Sequence, residues 1–234
     1  MKWVWGIVAV LIAIIVLVAV AFPSVTVRYR LTLEANVDGE PRTGSGVIEV
    51  TYGKNSKLSQ SEISINVRGE AVALDLGSRG TLFALLREGA DIRSGPEWIV
   101  FRAAGFSYGT LPSPVEEGFR RLRRLSGTFE LPLTSLPLLV RFRDPNDQLS
   151  VEKVDPLDLA ASFGDGAKLT RATLQIVPPG IWPWNSWGIT GEPITQDIEK
   201  RLPWLKGMRS AIDGSRFTTK TELSNILSTY DFKR

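Results

Sequence analysis

The chain has 234 residues, 43% of them hydrophobic, with 28 basic against 25 acidic side chains and a net charge of +3. That is enough for one large folded domain, and too even a charge mixture for the broad basic field of a nucleic-acid binder. Cysteine and histidine are both absent, which excludes disulfides, thiolate or imidazole metal sites, a Ser-His-Asp triad and a Cys-His pair within this chain.

The start, MKWVWGIVAVLIAIIVLVAVAFPS, is uninterruptedly apolar from Trp3 to Phe22. As a helix that run is roughly 30 Å long, the thickness of a bilayer's hydrocarbon core. It predicts a transmembrane anchor over residues 1–23, with the lipid bilayer as the partner of residues 3–22. Trp3 and Trp5 stand where an interfacial aromatic belt belongs, and Pro23 is a natural stop. The rival is a cleaved secretory signal, since Ala19-Val20-Ala21 has the small-x-small form of a cleavage site. Against it, the apolar run continues straight into that site and exceeds a usual signal core. A buried core helix is the third reading. Lys2 and the terminal amine are opposed by Arg28 and Arg30, so loop charge hardly decides orientation. A very short head stays in the cytoplasm more readily than a long domain does, so the expectation is a single-pass protein of a bacterial inner membrane with its domain in the periplasm.

From Val25 the residues alternate, Val25, Val27, Tyr29, Leu31 and Leu33 on one face and Thr26, Arg28, Arg30, Thr32 and Glu34 on the other, predicting a half-buried strand. Asp38-Gly39 signals a hairpin into Gly46–Tyr52, and Ile63–Arg68 reads as another strand. Ala71–Leu76 and Thr81–Leu86 flank Gly77-Ser78-Arg79-Gly80 as a second hairpin, and Trp98–Phe101 reads as a short strand. Ser113-Pro114-Val115-Glu116 has the form of a capping box with proline at the first helical position. Val115, Phe119, Leu122 and Leu125 then follow at helical spacing up to Gly127. The outer face of this helix runs from Glu116 and Glu117 to Arg120, Arg121, Arg123 and Arg124, the charge order that complements a helix dipole. The same four arginines are candidates for contact with anionic lipid or an acidic partner.

Leu136–Phe142 predicts a strand, Asp155-Pro156 the cap and first residue of a short helix closed by Gly164, and Lys168–Val177 an alternating strand. Ile194–Leu202 suggests a helix stopped by Pro203, and Leu223, Ile226, Leu227 and Tyr230 mark a last amphipathic one. The fold class that follows is α+β. An N-terminal transmembrane helix precedes one domain over residues 24–234, mostly antiparallel sheet with a few short amphipathic helices packed on one side.

Chemical motifs are weak. Asp144, Asn146, Gln148 and Asp155 faintly resemble a calcium loop, but Leu149 replaces its glycine and the twelfth position is Asp rather than Glu. The simpler reading is a connection whose polar side chains bond their own backbone. Ser150-Val151-Glu152-Lys153 has the S-x-x-K form of a lysine-activated serine, without the companion S-D-N and K-T-G motifs. The carboxylate pairs Glu116/Glu117 and Asp155/Asp158 are more simply helix caps, and no glycine-rich phosphate loop opens a helix. No catalytic, metal or cofactor-binding residues are assigned, and no cofactor is expected.

The segments Arg42–Val50, Val67–Leu76 with its hairpin into Thr81–Leu86, Val154–Gly164 and Ile198–Leu205 resemble a family of uncharacterised bacterial membrane or periplasmic proteins. In that family a hydrophobic N-terminal segment precedes a domain of this kind. The resemblance covers most of the domain and implies a bacterial source and one intact domain, but no activity.

One loop stands out. GIWPWNSWG, residues 180–188, places Trp182, Trp184 and Trp187 within six positions. Pro178, Pro179 and Pro183 stiffen it. Three roles compete for it: folding over the sheet as core, contact with the membrane interface or a partner protein, and stacking on a sugar ring. The function expected is a membrane-anchored, non-catalytic interaction or accessory module that binds or supports another envelope component. Its alternative is an envelope hydrolase or carbohydrate-handling protein using carboxylates or the Ser/Lys pair.

Overall fold

The computed structural model describes residues 3, 5, 7, 22–56, 58–91, 93–181, 184–187, 189–207 and 227–234. Strand β1 (Ser24–Val37) buries the side chains of Val25, Val27, Tyr29, Leu31, Leu33, Ala35 and Val37, as its alternation requires. Asp38 and Gly39 both take positive φ, 56° and 88°, the backbone that a tight hairpin needs. They return the chain as β2 (Glu40–Lys54), paired with β1 from Val37↔Glu40 to Ser24↔Gly53. Strand β3 (Ile63–Arg68) flanks β2, while β9 (Ala167–Val177) flanks β1 and carries β6 (Thr128–Glu130) beyond it. The result is a five-stranded antiparallel sheet in the order β3-β2-β1-β9-β6.

A second antiparallel sheet holds β4 (Val72–Asp75), β5 (Thr81–Ala84), β7 (Leu139–Phe142) and β8 (Val151–Lys153), in that order. The expected α+β, mostly antiparallel domain is present, with its strands divided between two sheets. The physical reason lies in β4 and β5, which are covered on both faces. Val72, Leu74, Leu82 and Ala84 join the core beneath the five-stranded sheet. On the opposite face Phe83, with Ala71 and Leu85 at the strand ends, packs with Val140, Phe142, Ile198, Leu202, Leu205, Leu227 and Phe232. A strand buried on both faces has no polar side to alternate, so its sequence does not tell which neighbour it seeks.

The stretch Trp98–Phe101, expected as a strand, lies within helix α1 (Pro96–Ala103). Pro96 opens the helix after an extended Gly95, and Ile99, Val100 and Phe101 are all fully buried. A short apolar run of this kind has the same signature in either conformation. The helix is fixed to the sheet by two buried phenols, Tyr29 donating to the Pro96 carbonyl at 2.9 Å and Tyr52 to that of Glu97 at 2.6 Å. Burial, aided by the Glu97 charge, holds both tyrosines well above their ordinary pKa, so they remain donors.

Helix α2 (Val115–Arg123) matches the predicted periodicity, with Val115, Phe119 and Leu122 buried. Its capping box does not form. Pro114 occupies the cap with extended backbone rather than the first helical turn, which leaves Ser113 one residue outside capping range. Helix α3 (Leu159–Phe163) likewise starts later than expected. Its cap is Asp158, accepting from Ala161 N at 3.1 Å, while Asp155 closes a turn onto Leu157 N at 2.8 Å. The helix expected over Ile194–Leu202 shortens to α4 (Ile198–Arg201), and the chain continues through Pro203 into a 3-10 turn over Pro203–Gly207. The apolar positions Leu223 and Ile226 of the last predicted helix lie outside the described residues. Leu227 is buried, and Thr229–Asp231 form a 3-10 turn.

Among the described residues no helix is long and apolar enough to cross a membrane. The predicted anchor falls largely outside them. Of its members Trp3, Trp5 and Ile7 are described, all helical and exposed, and Phe22 is 48% exposed.

Candidate membrane-facing surface

The antiparallel registers bring several chain ends to one end of the five-stranded sheet. There β1 begins at Ser24, and β2 ends at Lys54, whose N–H bonds the Pro23 carbonyl at 2.9 Å. Here also β9 ends at Val177 opposite Arg28, and β6 begins at Thr128 opposite Gln175. The final turn of α2 joins them, Arg123 donating to the Ser24 carbonyl at 3.1 Å. Two loops project from this end. One follows β2 and carries Leu58, 97% exposed; the other is the tryptophan loop after β9.

That second loop is a closed Ω shape. Glu192 N bonds the Pro178 carbonyl at 3.1 Å and Ile181 N bonds the Thr190 hydroxyl at 3.0 Å. Its two limbs approach so closely that a β-carbon on Gly180 would lie 2.3 Å from the Thr190 carbonyl oxygen, and φ at Gly180 is +72°. Glycine is therefore required at the neck. Within the loop Asn185 Nδ2 donates to the Pro179 carbonyl at 3.1 Å, and Ile181, Trp184 and Ile189 are exposed. Trp182 and the side chain of Trp187 lie outside the described residues. Asn185 thus ties the loop from within while its apolar tips face outward.

The neck is clamped to the sheet by charge. Arg28 and Glu49 face each other across β1 and β2 and are almost fully buried. Arg28 Nη2 lies 2.5 Å and Nε 3.0 Å from Glu49 Oε2, and Arg68 on β3 approaches Glu49 Oε1 at 3.2 Å. Arg28 also donates to the Glu192 carbonyl, and Arg30 pairs with the Glu192 carboxylate. Val47 N bonds the Thr195 hydroxyl at 2.8 Å. The segment after β9 therefore runs as a strap over β1 to β2, covering the ion pair. Sequence reading placed Arg28 on a polar, solvent-side face; the strap is what buries it.

The four candidate arginines divide. Arg121 turns back onto the protein, donating to the Ala104 carbonyl at 2.8 Å with its guanidinium 4.5 Å above the Phe106 ring. Arg123 holds Ser24. Arg120 and Arg124 are exposed, one helical turn apart, and form no ion pair among the described residues. All four remain exposed, but Arg121 is drawn toward an aromatic ring and a helix end while staying on the outer face.

The chemical candidates do not assemble. Asp144 Oδ1 accepts from Asn146 N at 2.9 Å and Asp147 Oδ1 from Leu149 N at 2.9 Å. The Ser150 hydroxyl is engaged by the carbonyls of Asp144 and Asp147 at 2.9 Å and 2.7 Å. Glu116 pairs with Lys54, which lowers its pKa. No group of three or more potential metal ligands occurs among the described residues.

A cleft of about 530 Å³ between Arg68–Glu70, the Ile194–Lys200 segment and Lys233–Arg234 contains three carboxylates, Glu70, Asp197 and Glu199. Glu199 is paired with Lys233. Glu70 accepts from Asp197 N at 2.5 Å and Ile198 N at 2.8 Å, and burial raises its pKa despite these bonds. Its raised folded-state pKa means that Glu70 adds stability below the ordinary carboxylate range and that this is lost as pH rises through the folded value. Glu70→Gln, which keeps an acceptor without the charge, is expected to gain stability relative to the parent as pH rises from 4 to 7, measured by urea unfolding across that range. A constant difference would remove Glu70 from the pH profile.

Compared with family models, curated proteins and solved structures, the chain gives no match.

Proposed function

We propose that the protein is a single-pass, membrane-anchored accessory module whose domain faces the periplasm and binds or supports another component of a bacterial envelope or membrane complex. The observation that carries this is the convergence at one end of the sheet. The apolar segment enters there, and the two loops that leave that end carry exposed apolar side chains, Leu58 after β2 and Ile181, Trp184 and Ile189 after β9. Exposed apolar side chains in both loops at one end of a sheet favour a contact surface over a solvent face. The anchor reading draws support from Trp3, Trp5 and Ile7. About 100° per residue separates helix positions, so Trp5 points nearly opposite to Trp3 and Ile7, and exposure on both sides disfavours a buried core helix.

The hydrolase alternative is less favoured because Asp155, Asp158 and Glu70 accept from backbone N–H groups and Glu116 and Glu199 are paired with Lys54 and Lys233. The chain has no cysteine, so single introduced cysteines report topology cleanly. A cysteine at Glu40 is expected to react with a membrane-impermeant maleimide in intact spheroplasts, and the protein to stay with membranes after carbonate extraction. Labelling only after lysis would reverse the orientation, and release by carbonate would remove the anchor.

A further inference from the structure

The distance between the apolar segment and the domain is very short. Phe22 ends the run and Ser24 already pairs with Gly53, so one connecting residue, Pro23, and about 7 Å of chain separate them. A domain on so short a connection cannot drift away from the bilayer. Only its angle to the surface is left open, and the structure bears on that angle.

Four features share the end nearest the connection and lie around it rather than on one side. Leu58 projects beyond β2, and the Ω loop presents Ile181, Trp184 and Ile189 beyond β9. The neck of that loop, at Glu192, is bonded to Arg28, only about 13 Å along β1 from Ser24. Arg123 touches Ser24 itself, and Arg120 and Arg124 extend the positive charge along α2. Aliphatic and indole tips at the same end as arginines that form no ion pair among the described residues match the bilayer interface, where indoles settle at headgroup depth and guanidinium groups meet phosphate. The opposite end of β1 contrasts with this. Its hairpin tip, Asp38-Gly39-Glu40, is polar and exposed.

We infer that the domain docks end-on onto anionic phospholipid headgroups, with Leu58 and the Ω-loop tips in the interface and Arg120, Arg123 and Arg124 on lipid phosphate. This rests on the anchored reading above and adds to it a fixed orientation and a lipid class. The clamp from Arg28 and Arg30 to Glu192 then has a use, since it holds the loop in line with the strand ends instead of leaving it to swing.

The test uses the full chain in nanodiscs, of phosphatidylcholine alone or with phosphatidylglycerol. An environment-sensitive fluorophore is placed on a single cysteine at Leu58, Ile189 or Glu40, and quenching by aqueous iodide is read. Labels at Leu58 and Ile189 are expected to be protected in anionic discs and less so in neutral ones, with Glu40 accessible in both. Arg120→Gln with Arg124→Gln, both exposed and outside any ion pair among the described residues, should lower the docked-to-free ratio roughly fivefold per arginine. Added salt should do the same. Accessibility at Leu58 and Ile189 equal to that at Glu40 would overturn the docking while leaving the anchor intact. Equal protection in both disc types would overturn the anionic-headgroup assignment. A chain that does not co-elute with discs at all would instead overturn the anchored reading.

Discussion

Replacing Glu49 by alanine is expected to cost the domain about 3–5 kcal/mol, the range for breaking one half of a buried ion pair. Glu49 is 5% exposed and Arg28 2%. Arg28 gives Glu49 two bonds, and among the described residues its further partner is the Glu192 carbonyl. Without the carboxylate a guanidinium is left under the strap with its charge uncompensated, and water cannot reach it unless the strap lifts. A domain of ordinary stability has only about 5–15 kcal/mol in total, so the loss is large and should lower Tm by roughly 10 °C. Urea and thermal unfolding measure it. The double replacement Arg28→Met with Glu49→Leu should recover most of the loss, because an apolar pair of similar volume needs no charge compensation. A cost below about 1 kcal/mol for Glu49→Ala would mean that the pair behaves as a solvated surface bridge and that the strap does not cover it.

The second large effect is expected at Gly44, where β2 crosses β4. A β-carbon there would lie 2.3 Å from the Ala73 carbonyl oxygen and 2.6 Å from Leu74 Cα, both main-chain atoms of the other sheet. No side-chain rotation relieves such a collision, so the two sheets must separate and open the shared core around Leu74 and Leu33. Gly44→Val is therefore placed at the upper end of overpacking costs, about 3 kcal/mol or more. Ser45→Val, at the next position and exposed, should stay within about 0.5 kcal/mol. Equal denaturant midpoints for the two variants would show that the sheets do not meet at Gly44.

Much of the five-stranded sheet was legible before any coordinates. β1, β2, β3 and β9 alternate because one face is core and the other is not, and Asp38-Gly39 reads directly as a hairpin. Three kinds of feature were not legible. Trp98–Phe101 was misread because a fully buried turn of helix and a fully buried strand carry the same apolar run. The caps at Ser113 and Asp155 were misplaced by one and three residues because several Asp, Ser and Pro residues compete near each helix start, and backbone geometry rather than composition selects among them. The proposed contact surface was only partly visible. The tryptophan cluster and the arginine run announced themselves, whereas Leu58 and Ile189 are isolated apolar residues whose meaning comes from sharing one end of the sheet.

Composition alone determined what chemistry this chain cannot perform through histidine or cysteine, since a side chain that is absent contributes nothing in any fold. Local periodicity determined most strands, because alternation is a property of neighbours in sequence. The tertiary structure decided the rest through long-range placement. It split the strands into two sheets, buried Arg28 beneath a strap from more than 160 residues away, turned Arg121 onto Phe106, and brought the entry of β1, the Ω loop and the end of α2 to the same edge. Charge and apolarity are written in the sequence, but the dielectric around a charge and the company of an apolar side chain belong to residues far along the chain.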